Sequence, residues 1–326
     1  MSNLRLGIVG IGRHGSRYAK HASQDVDEIE LVAVSRRDEI KGRAAANTYG
    51  CEYESDAEAL ITRDDIDAVV LVTAPYLLPR LVELALKHDK RLVVEKPVAP
   101  DLASGRAMLA MIEKAGAYCM SGHTLRFNSV CVAMQRAVEN LGRIDSIVLS
   151  QRFPPQLQIG WLDDPDRSGG GNILHTGVHC FDLVRFLTGL EPRSASCMTR
   201  RVFTRRTEDN FVAVLGLDEA GALAMVNCSR SANCYNGLIE ISGENGQLVG
   251  DHVLGSLHLL DGDGRHELKP EAPAFTVLEV LRRLVADAGE SKKPSPDFRD
   301  GLTAVAVADA CYRAATSGRR QEIAPL

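Results

Sequence analysis

The apolar residues in the first third of the chain fall in short runs. Four runs rich in valine, isoleucine and leucine occupy residues 4–9, 30–34, 68–72 and 91–94. A nearly continuous apolar run of this length is typical of a strand buried on both faces of a parallel sheet. The segments between them, including 16–22 and 79–87, have the spacing of helices. This alternation predicts a doubly wound α/β domain with a parallel sheet and right-handed crossovers.

The pattern changes in the later part of the chain. Strand-like runs follow one another at residues 144–151, 194–201, 211–217, 222–229 and 238–242. A helix-like segment at about 178–187 interrupts them, and a second helix is expected over 301–317. Because 326 residues are too many for one small core, the chain is expected to form two domains.

A glycine-rich loop follows the first predicted strand directly and leads into the first predicted helix. In this position the GxGxxG pattern indicates a dinucleotide site, although it also fits an ordinary strand-to-helix turn. Gly10 permits the tight turn, Gly12 lets a pyrophosphate approach the backbone, and Gly15 lets the helix pack closely. The helix N-terminus offers N–H groups to the phosphates. The predicted cofactor contacts of the loop are Gly10, Ile11, Gly12, Arg13, His14 and Gly15.

The residues after the second predicted strand bear on the choice of nucleotide. NAD-specific proteins place an acidic residue here, against the ribose hydroxyls, but this chain has Ser35, Arg36 and Arg37. Arginines can hold a 2′-phosphate through charge-assisted hydrogen bonds, which a carboxylate would repel. The alternative is that they are simply solvated. The sequence predicts that NADP(H) is preferred and that NAD(H) is possible.

Two further motifs stand where predicted strands end. Thr73, Ala74 and Pro75 follow the third strand, and Glu95 and Lys96 follow the fourth. Ligands of parallel sheets bind beyond the carboxyl ends of the strands, so all these residues are predicted cofactor contacts. Since Pro97 restricts the residue before it to extended backbone, we expect Lys96 to point over the cofactor edge.

Composition excludes several classes of protein. A net charge of −5 and an isoelectric point near 6.0 argue against a nucleic-acid binder. No run approaches the roughly eighteen apolar residues of a membrane span, and the N-terminus lacks the features of a signal peptide. The eight cysteines include no CxxC pair, which favours buried thiols in a reducing compartment. A cytoplasmic enzyme is expected.

Five segments resemble the Gfo/Idh/MocA oxidoreductases, in order and spacing, over essentially the whole chain. They are GIGRHG (10–15), EKP (95–97), GHTLRFN (122–128), SGGGNILHTGVHCFD (168–182) and DGLTAVAVADACYRAATSGR (300–319). The resemblance implies an NADP-binding Rossmann domain over 1–121 and a substrate and oligomerisation domain over 122–295. The second domain is expected to be α+β, with a large, mostly antiparallel, open-faced sheet that joins subunits into a homodimer or homotetramer. Residues 296–326 are expected to form a helix that packs back on the first domain.

The same resemblance implies catalytic roles for Lys96 and His179. Where most relatives have an aspartate, this chain has His175, which can relay protons but cannot supply a fixed negative charge. Either histidine could instead be structural. Two histidines at i and i+4 also fit a zinc site, but Thr176 rules out HExxH and Gly177 weakens a continuous helix, so no metal is predicted.

The function that this resemblance implies is hydride transfer between NADP(H) and a secondary alcohol or carbonyl of a sugar, cyclitol or related polyhydroxylated molecule. Thr124 is expected to contact the cofactor, and Arg126 either contacts substrate or braces the domain junction. The triple glycine at 169–171 is expected to let backbone approach the cofactor. The predicted substrate contacts are Lys96, His123, Arg126, Trp161, Asn172, His175 and His179.

Three other functions remain open at this point. One is the reduction or oxidation of a non-sugar carbonyl or diol within the same family. Another is a cofactor-binding sensor whose catalysis is weakened by His175. The third is cofactor-assisted glycoside cleavage with no net redox change.

Overall fold

The computed structural model describes residues 3–155, 160–218, 221–290 and 292–326. The chain divides into two compact units. The first comprises the residues up to Thr124 together with Phe275–Leu302, and the second comprises Leu125–Ala274 together with Thr303–Leu326.

The first unit is built on a six-stranded parallel sheet, which confirms the predicted α/β fold. Its strands are β1 (Leu4–Val9), β2 (Ile29–Ser35), β3 (Glu52–Glu54), β4 (Ala68–Leu71), β5 (Arg91–Val94) and β6 (Cys119–Ser121). Their order is β3-β2-β1-β4-β5-β6, and every neighbouring pair is parallel. The order reverses at β1, and in such sheets this reversal is where dinucleotides bind.

Helices connect these strands, and their ends follow local sequence signals. They are α1 (Gly15–Gln24), α2 (Glu39–Tyr49), α3 (Ala57–Ile61), α4 (Leu78–Lys87) and α5 (Leu102–Ala115). Asp38 and Asp101 cap α2 and α5 by accepting hydrogen bonds from backbone N–H groups of the first turn. Gly50 and Gly116 end the same helices in the left-handed conformation that glycine favours. Short 3₁₀ turns at Pro75–Leu77 and Thr124–Phe127 complete the connections.

The second unit is built on a nine-stranded sheet, mostly antiparallel as predicted. Its strands are β7 (Ile144–Arg152), β8 (Pro192–Arg200), β9 (Asn210–Leu217), β10 (Leu223–Ser229), β11 (Asn236–Gly243), β12 (Gly246–Asp251), β13 (Ser256–Asp261), β14 (Gly264–Glu267) and β15 (Gln321–Glu322). The order is β14-β13-β12-β11-β7-β10-β9-β8-β15. Among the described strands of this second sheet, only β7 and β10 pair in parallel.

Helices cover one face of this sheet. They are α6 (Ser129–Ala137), α7 (Pro165–Ser168) and α8 (Val178–Thr188), and a π-helical turn, Ile173–Gly177, leads directly into α8. Short 3₁₀ turns lie at Val138–Leu141 and Gly160–Asp163. Helix α8 packs on β7 and β10, and α6 packs on β12 and β13. Side chains of β9 and β10 alternate between buried and exposed, so the opposite face of these strands is open.

Two long helices lie between β14 and β15 in the chain, α9 (Thr276–Glu290) and α10 (Phe298–Ser317). Helix α9 packs on α1, and Asp297 pairs with Met120, so this segment is grouped with the first unit. The predicted domain bounds of 122–295 and 296–326 differ from this grouping. In the structure, α10 begins in the first unit and residues from Thr303 onward belong to the second. Within the described ranges, no helix is long and apolar enough to cross a membrane.

Candidate functional site

The glycine loop fits tightly against the strand ends of the first unit. Gly10 has a φ of +99°, and an added Cβ would lie 2.1 Å from the carbonyl oxygen of Val72. Its N–H and that of Ile11 both donate to the carbonyl oxygen of Ser35, at 3.0 Å each. A Cβ on Gly15 would lie 2.2 Å from the oxygen of Gly10. The first and third glycines are therefore required by packing within the protein itself.

The middle of the loop is open instead. A Cβ on Gly12 would meet nothing within 4 Å of the described atoms. The hydroxyl oxygen of Thr73, at the end of β4, is buried and has no hydrogen-bond partner among the residues that the structure describes. An open glycine before a helix N-terminus is the arrangement that a pyrophosphate requires. The residues present fit a dinucleotide.

Arg36 belongs to the same edge of the sheet. Its guanidinium Nη1 donates to the carbonyl oxygen of Ile11 at 2.8 Å, which ties the end of β2 to the glycine loop. Arg36, Arg37 and Asp38 line an open hollow of about 410 Å³. Two of its three lining residues are cationic, and Asp38 is engaged as the cap of α2. The hollow lies where the sequence predicts the 2′-position of the adenosine ribose.

Glu95 connects the lysine motif to the glycine loop, a connection that the sequence did not reveal. Its buried carboxylate accepts hydrogen bonds from the Tyr18 hydroxyl at 2.6 Å and from the backbone N–H of Lys96 at 3.1 Å, and it pairs with His14 Nε2 at 2.9 Å. Burial alone would raise the pKa of Glu95, but the charge and hydrogen bond of His14 hold it below its ordinary value, with help from Lys96 and Tyr18. The carboxylate is thus anionic and holds the loop, α1 and the end of β5 together. Tyr18 lies one helical turn after His14, the one local signal for this role.

Lys96 is half-buried and is joined to Pro97 by a cis peptide bond. The end of β6 packs against the neighbouring residue, Glu95, since a Cβ on Gly122 would lie 2.8 to 2.9 Å from atoms of Glu95. His123 is fully buried there, with Nδ1 2.6 Å from the Ser121 hydroxyl. This burial gives His123 a structural position, and its predicted contact with substrate remains a prediction. Thr124 is also buried.

The two predicted catalytic histidines lie in the second unit, on one helical segment. His175 lies in the π-helical turn, and its Nε2–H donates to the Ser168 carbonyl oxygen at 3.0 Å. The indole of Trp161 meets the His175 ring edge to face, at 5.6 Å between ring centroids. These contacts fix both the orientation of the imidazole and the nitrogen that carries its proton. His179 is half-buried in the first turn of α8.

Gly177 lies where the π-helical turn passes into the α-helix that begins at Val178. The wide turn over Ile173–Gly177 continues without a break into α8. A Cβ on Gly177 would lie 2.8 Å from the ring of Phe211, so the glycine allows the turn to pack closely. Single π-helical turns occur frequently at functional sites because they shift the side chains of one helix face.

Two glycines of the triple glycine pack closely against other residues of the protein, and the predicted approach of the cofactor to them stays a prediction. A Cβ on Gly170 would lie 2.2 Å from the Tyr312 hydroxyl, and one on Gly171 would lie 2.1 Å from the carbonyl oxygen of Glu208. The Glu208 carboxylate accepts hydrogen bonds from the Ile173 N–H at 2.8 Å and the Tyr312 hydroxyl at 2.9 Å. Burial raises the pKa of Glu208. Glu208 and Tyr312 therefore hold the start of the histidine-bearing segment, and sequence reasoning missed both.

Two other predicted substrate contacts have structural partners. Arg126 forms a bidentate ion pair with the buried carboxylate of Asp182, at 2.9 and 2.6 Å, and lies over the Phe186 ring. Asn172 is fully buried and donates through Nδ2 to the Asp209 carbonyl oxygen at 3.1 Å. The ion pair of Arg126 and the hydrogen bond of Asn172 stabilise the second unit. Contact of either residue with substrate stays a prediction. Across the described ranges, no group of three or more metal-ligating side chains is arranged to hold an ion.

Comparison with known proteins places both halves of the chain in one family. Residues 4–123 match the oxidoreductase family with an NAD-binding Rossmann fold, and residues 133–249 match the Gfo/Idh/MocA C-terminal domain. Together these segments cover well over half of the chain.

Similar proteins align along nearly the whole length. An inositol 2-dehydrogenase from Rhizobium meliloti is 28% identical, with 98% of this chain and 99% of that protein covered. A D-apiose dehydrogenase from Paraburkholderia graminis is also 28% identical, with 98% and 89% covered. The crystal structure of an oxidoreductase domain protein from Kribbella flavida superimposes with a TM-score of 0.91, at 25% identity and 100% coverage of both chains. With its two domains, its glycine loop and its lysine and histidine motifs, this chain belongs to the Gfo/Idh/MocA family of oxidoreductases.

Proposed function

We propose that this enzyme is a dehydrogenase or reductase that interconverts a secondary alcohol and a carbonyl on a sugar, cyclitol or related polyhydroxylated molecule. The observation that carries the proposal is the Glu95 network, which fixes Lys96 beside the dinucleotide loop. The inositol and apiose dehydrogenases that it resembles support the substrate class. A cytoplasmic location, favoured by eight free cysteines, belongs to the same proposal.

The proposed cofactor is NADP(H), with NAD(H) as a weaker alternative. When bound, the nicotinamide supplies the hydride acceptor or donor of the reaction. Gly12 and the N-terminus of α1 would hold the pyrophosphate, and the Thr73 hydroxyl would gain a partner. Further contacts of the cofactor are assigned to Ile11, Arg13, His14, Ser35, Arg36, Arg37, Ala74, Pro75, Glu95, Lys96 and Thr124.

Within this proposal, Lys96 and His179 handle the proton of the reacting oxygen. An alcohol that becomes a carbonyl must lose its hydroxyl proton, and the reverse reaction must supply one. The Lys96 ammonium stabilises negative charge on that oxygen, and the His179 imidazole exchanges the proton. The His175 ring, fixed by Ser168 and Trp161, orients the helix turn that carries His179.

The proposed activity is tested by the near-ultraviolet absorbance of reduced nicotinamide in the presence of polyols and keto-sugars. Turnover with members of this panel, and its loss in a Lys96→Ala variant, is the expected result. Tight cofactor binding with no turnover on a broad panel of sugars, diols and ketones would instead indicate a sensor. Sugar release without net absorbance change would indicate glycoside cleavage.

We expect NADP(H) to bind at least tenfold more tightly than NAD(H), a difference of about 1.4 kcal/mol. The reason is that Arg36 and Arg37 border the hollow beyond β2, where a 2′-phosphate would accept charge-assisted hydrogen bonds. Calorimetric titration of both cofactors against the native enzyme and an Arg36→Ala variant measures the preference. Arg43→Ala, which removes an exposed arginine of α2 paired with Glu39, is the matched control. Equal affinities of the native enzyme for the two cofactors would contradict the proposal.

The open face of the second sheet is proposed to join subunits. Exposed apolar side chains lie side by side across three strands, with Met198 opposite Val212 and Val214 opposite Met225. An exposed apolar patch of this kind is typical of a protein–protein interface, and most oligomers are symmetric.

A homodimer or homotetramer is therefore expected in solution by light scattering. The double variant Val214→Asp and Met225→Asp should shift the mass toward the monomer, because two charges would be buried without partners in the interface. Leu254→Asp, at an exposed apolar residue of a turn, should leave the mass unchanged. A native enzyme that is monomeric at micromolar concentration would refute the predicted assembly.

A further inference from the structure

The second unit contains a cavity of about 350 Å³ that has no role in the proposed reaction as described above. Its wall combines apolar side chains, among them Leu162 and Phe203, with the charged side chains of Glu208 and Arg230. This volume lies at the lower end of the range of about 300 to 1,000 Å³ that is usual for small-molecule sites. The cavity therefore has the size and mixed lining of a site for one small ligand.

Arg230 follows directly after β10 and presents its guanidinium to this cavity. Its backbone N–H donates to the Asp209 carbonyl oxygen at 2.8 Å, and its Nε donates to the Thr176 hydroxyl at 3.2 Å. Across the described part of the chain, no carboxylate oxygen lies within the 4.0 Å ion-pairing distance of its nitrogens. Burial lowers the pKa of Arg230 to about 10, so the guanidinium is still charged at neutral pH.

The carboxylates around the cavity are already engaged. Asp163 accepts hydrogen bonds from the backbone N–H groups of residues 205–207. Asp209 accepts them from the N–H groups of residues 202–204. The Glu208 carboxylate is held by Ile173 and Tyr312. The half-buried Arg230 guanidinium is favoured by the charge of Glu208 but donates no hydrogen bond to it, so it is poised to receive an anion from a ligand.

The position of Arg230 links this cavity to the proposed catalytic segment. Its partner Thr176 lies between His175 and His179 in the chain, on the same helical segment. The ring of Trp161 packs on His175 from the 3₁₀ turn that also contributes Leu162 to the cavity wall. A ligand anchored at Arg230 would therefore extend along the helix that carries the histidines.

We propose that Arg230 binds the carboxylate of an acidic sugar, such as a uronate or an aldonate, and so makes this enzyme selective for sugar acids. The inference rests on the proposed function and narrows its substrate class. A planar carboxylate pairs with a guanidinium through two parallel hydrogen bonds. A phosphate ester also accepts hydrogen bonds from a guanidinium, so the test includes a phosphate ester as a separate arm.

Matched pairs of substrates test the preference. Glucuronate and glucose, galacturonate and galactose, and gluconate and sorbitol differ mainly in the carboxylate. We expect at least one acid to have a kcat/KM about 10- to 100-fold above that of its neutral partner. Glucose 6-phosphate forms a separate arm, and a preference for it over glucuronate would overturn the assignment of a carboxylate.

An Arg230→Met variant, which removes the charge, should lower the ratio of kcat/KM for the acids to kcat/KM for the neutral sugars. The ratio is the readout because loss of the hydrogen bond to Thr176 changes both values together. Arg230→Lys should recover part of the preference. Arg193→Met, at an exposed arginine of β8, is the matched control. Thermal denaturation of each variant separates loss of folding from loss of recognition.

Binding is also measured without turnover, by calorimetric titration of glucuronate into the enzyme. We expect glucuronate to bind about 10- to 100-fold more weakly to Arg230→Met than to the native enzyme, and this result supports the role of Arg230. If this result is obtained but no substrate of the panel is turned over, only the proposed reaction fails. The opposite outcome is that neutral sugars and acids are turned over equally well and that Arg230→Met affects neither. That outcome leaves the proposed reaction intact and overturns the role of Arg230.

Discussion

Replacing Lys96 by methionine is expected to lower kcat/KM by about 10² to 10⁴, the usual contribution of a general acid or base. Methionine keeps the volume of the side chain but removes the ammonium that would stabilise charge on the reacting oxygen. The fold should persist, because Glu95 keeps its partners His14 and Tyr18. Steady-state kinetics with an active sugar or polyol measure the loss of kcat/KM, and calorimetric titration measures cofactor binding separately.

The control for this change is Lys87→Met, at an exposed lysine of α4 that pairs with Glu83, and we expect it to be neutral. Lys96→Arg is informative as well, because it retains the charge but exchanges protons poorly at neutral pH. Activity restored by arginine would assign Lys96 an electrostatic role only. If Lys96→Met kept more than about half of the native kcat/KM, the proposed mechanism would have to be abandoned.

Alanine substitutions at the first two glycines of the loop are expected to impair different properties, stability at Gly10 and cofactor binding at Gly12. Gly10→Ala should destabilise the enzyme by about 2 to 5 kcal/mol, because the new Cβ meets the Val72 carbonyl oxygen and φ is positive. Gly12→Ala should leave stability almost unchanged, since the described atoms leave space for its Cβ. It should nevertheless weaken dinucleotide binding by at least about tenfold, because the pyrophosphate needs that space.

Thermal denaturation and cofactor titration of both variants give the comparison. Gly12→Ala serves as the matched control for Gly10→Ala, because the substitution is the same and only the surroundings of the glycine differ. A Gly12→Ala variant that binds cofactor as tightly as the native enzyme would show that the dinucleotide does not lie against this loop.

The parts of the fold that sequence predicted are those with local signals. The run at β1, the turn at Gly10 and the helix after it lie within about twenty residues, so a short window contains the whole pattern. Strands β3 and β6 have three residues each, too few to show a period, and were missed. Strands β12 to β14 were missed as well, and β14 is exposed at every residue.

Sequence motifs identify candidate site residues one at a time, and they do not identify partners that are distant in the chain. Lys96, His175 and His179 stand in recognisable motifs. Glu208 meets Tyr312 from a loop, and no spacing in the sequence links these two residues. The glycines at 170 and 171 stand out in the sequence, but their packing against those two residues depends on tertiary structure alone. Sequence patterns report helix and strand periods, and they do not report which loops meet.

The parallel pairing of β7 with β10 has a consequence for how the second sheet can form. Strands β8 to β10 make one meander of neighbours in the chain, and β11 to β14 make another. Strand β7 lies between β10 and β11 and joins the two meanders, with Ser146 opposite both Leu223 and Ser242. Each meander can assemble from short-range contacts, but their union requires closing a long loop, which is slow. A fragment that starts after Arg152 would keep eight of these strands as two separate sheets, because the strand that unites them comes first in the chain.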